Sequence, residues 1–275
     1  ELFTFSTAKS VATIEYPNEA SVKVWFNPQG GLRVVQKLDH RLIAWWEYYG
    51  EKKISLDPIS PHEFVHDVSL APDGKTVIFT LMNRGDIWTW NIETGQRRLL
   101  LEMLQGQWIP TCGPAVSPNN EIVAVGYGNI IKLLDFSSGG LIRELKTDVA
   151  HPVDVLAFNP KQPILASAGK EVVLWNSQTG EKIAECPLHS RSSVTDLAWN
   201  SDGSAFAVGL TDSIAKTWFL NNSKAEPTTF KHNFNNHNMR RNIKLGWWQD
   251  NTLLMGAGSK LYFYSMPLEN KFTLS

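Results

Sequence analysis

Val155-Leu156-Ala157-Phe158-Asn159-Pro160-Lys161-Gln162-Pro163-Ile164-Leu165-Ala166-Ser167-Ala168-Gly169-Lys170-Glu171-Val172-Val173-Leu174-Trp175-Asn176 is the stretch that decides the fold. It contains three apolar runs of strand length, Val153–Phe158, Ile164–Ala168 and Glu171–Asn176, divided by Pro, Gly and Asn turns. Glu181–Cys186 supplies a fourth after Gln178-Thr179-Gly180. There is no room between the turns for a helix. Runs such as Val172-Val173-Leu174-Trp175 are continuous rather than alternating, the pattern of strands buried on both faces.

The same unit recurs outward in both directions. Its turn reads Phe26-Asn27-Pro28-Gln29-Gly30, Leu70-Ala71-Pro72-Asp73-Gly74, Val116-Ser117-Pro118-Asn119-Asn120, Trp199-Asn200-Ser201-Asp202-Gly203 and Trp247-Trp248-Gln249-Asp250-Asn251, at steps of 41 to 48 residues. A column of Trp45, Trp90, Leu134, Trp175, Trp218 and Tyr264 follows each turn at 15 to 18 residues, and Gly50, Gly95, Gly139 and Gly180 follow five residues later. A repeat of this length marks small units that bury their apolar faces only against one another. Four short strands per unit, sandwiched between like sheets, predict an all-β propeller.

Val68-Ser69-Leu70-Ala71-Pro72-Asp73-Gly74 with Ile87-Trp88-Thr89-Trp90-Asn91 resembles a WD40 repeat, as do Val155–Pro160, Leu165–Ala168 and Val173–Asn176. The resemblance covers essentially the whole chain and implies a WD40-type β-propeller with divergent repeats. The third strand ends in Trp90-Asn91, Trp175-Asn176, Trp218-Phe219 and Leu134-Asp135 where the family has Trp-Asp. The family's hydrogen-bonded set of His, Ser or Thr, Asp and Trp is incomplete. His151, Ser167 and Trp175 lack the Asp, and His189, Asp212 and Trp218 lack the hydroxyl. Packing of the aromatic column, about 1.5–3 kcal/mol per buried ring, is expected to dominate instead.

Blades are expected at 20–56, 62–102, 108–146, 151–186, 191–231 and 242–275, after a partial blade at 1–16. Leu2–Phe5 reads as its third strand and Val11–Tyr16 as its fourth. A ring must close to hide strand edges, so seven blades are expected, with 1–275 one propeller within a longer polypeptide.

With 275 residues, 43% hydrophobic and a net charge of −1, the chain has no general basic character. That argues against a broad nucleic-acid or membrane-surface binder. No run approaches the roughly 18 apolar residues of a membrane span. Two cysteines, Cys112 and Cys186, read as buried free thiols in strands, which suits a cytoplasmic setting.

Catalytic motifs are absent, and no cofactor or metal is expected. His62/His66 and His232/His237 are the close histidine pairs, without carboxylates at ligand spacing. Asp67, Asp154 and Asp196 lie in successive innermost strands. A cation or basic-peptide site is one reading; bonding to the backbone of the neighbouring blade is the simpler one. Lys231–Lys244 carries the strongest charge asymmetry, with Arg240 and Arg241 beside asparagines. It reads either as a solvated loop or as a contact for an acidic partner or phosphates. On the same end of the blades lie Arg41, Arg84, Trp108, Tyr127, Lys170 and Arg191, of the residue types that anchor protein interfaces.

The expected function is a non-catalytic recognition platform, a scaffold or sensor domain with protein partners on the loop face. An effector or signalling domain attached elsewhere on the polypeptide agrees with what the resemblance implies. The alternatives are a nucleic-acid or phosphate-binding module using 231–244, and a propeller enzyme, which requires titratable groups converging in one pocket.

Overall fold

In a computed structural model the described residues are 2–4, 9–12, 21–26, 32–38, 42–47, 52–56, 64–82, 84–103, 110–147, 151–188, 190, 192–222, 227–231, 243–248, 252–257 and 260–265. The chain divides into two compact units, Glu1–Val65 and His66–Ser275.

The first unit holds a hairpin of β1 (Leu2–Thr4) and β2 (Lys9–Ala12). It also holds a meander of β3 (Ser21–Phe26), β4 (Leu32–Leu38), β5 (Leu42–Glu47) and β6 (Lys52–Leu56).

Four more four-stranded sheets follow from the unit boundary onward. They are β7 (Val65–Leu70), β8 (Thr76–Leu81), β9 (Ile87–Asn91) and β10 (Arg97–Leu101); β11 (Ala115–Val116), β12 (Ile122–Tyr127), β13 (Ile130–Asp135) and β14 (Leu141–Lys146); β15 (Val155–Phe158), β16 (Ile164–Ala168), β17 (Glu171–Asn176) and β18 (Lys182–Pro187); and β19 (Val194–Trp199), β20 (Ala205–Leu210), β21 (Ile214–Phe219) and β22 (Thr228–Lys231). A three-stranded sheet of β23 (Lys244–Trp248), β24 (Thr252–Ala257) and β25 (Lys260–Ser265) ends the described residues. Within every sheet, sequence neighbours pair antiparallel, as short turns dictate.

The continuous apolar runs are the second and third strands, and they are buried on both sides. Every residue of β16 and of β20 is buried. Alternation divides their side chains between two interfaces. Leu165, with Val173 and Trp175, meets Ala124, Leu133 and Leu145 of the preceding sheet. Ile164, Ala166 and Ala168 meet Phe206, Val208 and Leu210 of the following one. The Trp column therefore faces the preceding sheet, and Trp218 stacks on Phe206 with ring centroids 5.3 Å apart.

Fourth strands are the wet edges. In β14 only Leu145 is buried. Here the sheets are clasped by arginines. Arg98 donates to the carbonyls of Ser137 and Phe136 in the next sheet's last turn, at 2.5 and 2.6 Å. Arg143 lies over Gly180 in the turn after that, where a Cβ would come within 2.2 Å of the arginine side chain.

Both cysteines are free and buried. Cys186 lies in β18, but Cys112 precedes β11 rather than standing in a strand, because pairing there starts only at Ala115.

Candidate interaction surface

Asp67 and Asp196 stand in the first strands β7 and β19, Asp154 immediately precedes β15, and each carboxylate is occupied by backbone. Asp196 Oδ2 accepts the Leu245 N–H of the next sheet at 2.8 Å, and its Oδ1 accepts Leu197 N–H at 3.1 Å. Asp154 accepts the Val194 N–H of its following sheet. Burial pushes its carboxyl above the usual aspartate range, against the opposing pull of that N–H, Lys170 and His151. Asp67 Oδ1 accepts Val68 N–H, and its other oxygen lies where a Cβ on Gly113 would be, 2.2 Å away. The simpler of the two sequence readings describes Asp154 and Asp196, which tie their sheets to the next. Indoles return the tie, since Trp199 Nε1 donates to Ala157 O at 3.2 Å and Trp247 Nε1 to Ala198 O at 3.1 Å.

At the end of the sheets formed by the turns between second and third strands, two groups of predicted residues meet. Arg84 Nε lies 3.1 Å from Asp86 Oδ2, and its Nη2 lies 3.1 Å from Glu102 Oε1. Asp86 is only 3% exposed and also accepts Met103 N–H at 2.8 Å, so it fixes the arginine from below. Tyr127 reaches the same turn from the next sheet, its hydroxyl donating to Gly85 O at 3.0 Å. At 1% exposure Tyr127 is a core residue, its phenol raised well above the usual range by burial and then by the Asp86 charge. It offers no surface to a partner.

Lys170 is exposed on the β16–β17 turn and lines a small cleft with His151, Thr147 and Ser167. The cleft walls are already in use, because Ser167 Oγ accepts the Trp175 indole at 2.9 Å. Lys231 and Lys244 are exposed, and Lys244 Nζ lies 3.8 Å from Asp196 Oδ1. Arg41, Trp108, Arg191, Arg240 and Arg241, like His62, His189, His232 and His237, lie outside the described residues.

Sequence reasoning missed Met82, 37% exposed beside Arg84, and the carboxylates Asp86 and Glu102. The two-residue spacing of Arg84 and Asp86 was a signal for the first ion pair. Glu102 had none, since it arrives from the far end of the sheet's last strand. This arrangement suits ion pairing and apolar contact with a macromolecule. The Asp67, Asp86, Asp154 and Asp196 carboxylates are each engaged by backbone N–H groups. Among the described residues no three His, Cys, Asp or Glu side chains form a group able to hold a metal ion. No helix among them is long and apolar enough to cross a membrane.

Residues 180–218 match the WD40 family, described as WD domain, G-beta repeat. The match covers β18 and β19 to β21, so one family repeat straddles two sheets. The chain is similar to the WD repeat-containing protein slp1 of Schizosaccharomyces pombe, 25% identical over 181 residues, 63% of this chain and 34% of that protein. It is similar to the periodic tryptophan protein 2 homolog of Dictyostelium discoideum, 34% identical over 101 residues, 36% of this chain and 11% of that protein. It is also similar to the anaphase-promoting complex subunit cdh1 of Dictyostelium discoideum, 26% identical over 139 residues, 48% of this chain and 18% of that protein. The chain spans about a third or less of the length of the curated relatives it matches.

Proposed function

We propose, on the premise that the chain belongs to the WD40-repeat family, that it is a non-catalytic platform for protein recognition, a scaffold or sensor unit acting within a larger protein or complex. The sheets fit a WD40 propeller, and WD repeat relatives point to protein interaction in general. One similar protein is by its name a subunit of a multi-protein complex. A cytoplasmic setting, in keeping with two unbridged cysteines, is part of the same reading.

The observation that carries the proposal is the contrast between frame and loops. The carboxylates of Asp67, Asp154, Asp196 and Asp86 are bound to backbone, while Met82 and Lys170 project from the turns that this frame holds. Rigid elements presenting variable loops suit a binding surface. Arg84 belongs to it as a held cation, and Arg41, Trp108, Arg191, Arg240 and Arg241 are proposed as further contacts.

The test is affinity purification from the native source with the wild-type chain and with Lys170→Glu combined with Met82→Ser. Specific partners should be lost from the variant at unchanged melting temperature. Retention of every partner overturns the loop-end assignment. Oligonucleotide affinity that falls linearly with log salt would replace it with phosphate binding through 231–244.

A further inference from the structure

At the opposite end of the sheets, the turns between first and second strands are stapled to one another across two junctions and open at the one between. Asp73 N–H donates to Asn120 Oδ1 of the next sheet at 3.1 Å. Asn159 Nδ2 donates to Gly203 O of its next sheet at 2.8 Å, and Gly203 has no room for a Cβ, which would lie 2.4 Å from Asn159 Oδ1. Between these junctions Ser117 should reach toward Gln162. Instead its hydroxyl is consumed in its own turn, bonded to Asn119 Oδ1 at 2.7 Å and accepting Ile122 N–H at 2.9 Å.

The cause is Pro163. In the other three turns the fourth residue after the strand, Gly74, Asn120 or Gly203, has a φ between +58 and +73° and donates back to close a tight turn. Gln162 precedes a proline, which holds it in extended backbone. Its N–H goes to Asn159 Oδ1 at 2.9 Å, and the turn stays away from Ser117.

The result is a groove of about 250 Å³. Half-buried Ile122 and Phe158 line it together with Pro118 and Pro160. Glu121 on one rim is drawn onto its own turn, accepting Asn119 Nδ2 at 2.6 Å. Lys161 on the other rim is exposed, and among the described residues its ammonium has no ion-pair partner. The site thus offers an apolar floor, a cation seeking a counter-charge, and the Gln178 amide for hydrogen bonding to peptide backbone.

We propose that this groove docks an extended peptide of a protein partner, seating one apolar side chain on Ile122 and Phe158 while a neighbouring carboxylate pairs with Lys161. It is a second contact site, separate from the loop end and independent of it.

The experiment titrates the full chain with the peptide acetyl-Gly-Phe-Asp-Gly-amide, followed by amide NMR shifts of Ile122 and Lys161. Saturable shifts are expected, about two- to five-fold weaker with acetyl-Gly-Phe-Lys-Gly-amide, as one exposed ion pair implies. Lys161→Glu should reverse that preference. Gln162→Gly combined with Pro163→Lys restores the form of the Pro72-Asp73-Gly74-Lys75 turn and should abolish the shifts at unchanged melting temperature. Absence of saturable shifts in the wild-type chain, equal response to both peptides, or undiminished binding by the closed-turn variant overturns the proposal.

Discussion

Ser167 Oγ accepts the Trp175 indole N–H at 2.9 Å, bridging the buried centre of β16 and β17. In the next sheet the equivalent indole, Trp218 Nε1, is buried with no partner. Register explains the difference. Leu165 stands opposite Trp175 and Phe206 opposite Trp218, so two residues further on Val208 occupies the place of Ser167.

Stability should follow that hydroxyl. Ser167→Ala leaves a buried indole donor unpaired and is expected to cost about 1–3 kcal/mol. Val208→Thr supplies the missing acceptor beside Trp218 and should stabilise by about 0.5–1.5 kcal/mol. Urea unfolding with an unchanged slope measures both. A loss of stability in Val208→Thr would show that the hydroxyl does not reach the indole.

The tie between β19 and β23 should be separable from general stability. Asp196→Ala removes a charged acceptor from Leu245 N–H, at a cost of about 1.5–3 kcal/mol. Hydrogen exchange at the Leu245 amide should accelerate by about ten- to a hundred-fold, while amides of β8 and β9 keep their protection. Uniform acceleration would instead mean that the whole unit had been destabilised.

Arg84 has two partners of different weight. Glu102 is exposed, so Glu102→Ala should cost no more than about 1 kcal/mol. Asp86 is buried and also holds Met103 N–H, so Asp86→Ala should cost about 1.5–3 kcal/mol. The comparison of unfolding free energies, with equal losses as the contrary outcome, tests whether the buried carboxylate sets the arginine.

Two aspartates should titrate in opposite senses. The Ser137 and Ser138 hydroxyls, with the Ser138 N–H, lower Asp135 from 3.8 to about 2. Its folded value is depressed, so its contribution is present above the unfolded value and is lost as pH falls from about 3.8 through about 2. Asp154 is raised, mainly by burial, so its carboxylate opposes folding at higher pH and protonation relieves it. Carboxyl NMR titration should find Asp135 moving back toward 3.8 when Ser137 and Ser138 are both changed to Ala. Asp154→Asn should flatten the stability profile on the alkaline side of the aspartate range. An unmoved Asp135 would remove the hydroxyls as the cause.

Much of the fold was legible because it is written in local chemistry. Continuous runs such as Val172-Val173-Leu174-Trp175 announced burial on both faces, and β17 is enclosed accordingly. The absent hydroxyl beside Trp218 was visible as a departure from the repeat. The site was less legible. Tyr127 has the composition of an interface anchor, and nothing along the chain shows that Gly85 from the sheet before it receives its hydroxyl. Arg98 reads as a surface charge, yet it caps two carbonyls nearly forty residues on.

By itself the sequence determined the repeat, the four-strand unit and the aromatic column, because spacing and apolar runs act through neighbours along one strand. Tertiary structure alone decided which polar groups are spent on holding sheets together and which remain outside. The carboxylates of Asp154 and Asp196 meet their partners only when the next sheet is in place. The groove beside Lys161 exists only because the Gln162-Pro163 turn fails to meet Ser117 across a junction between sheets. Such contacts join residues forty or more positions apart, where local propensity carries no signal.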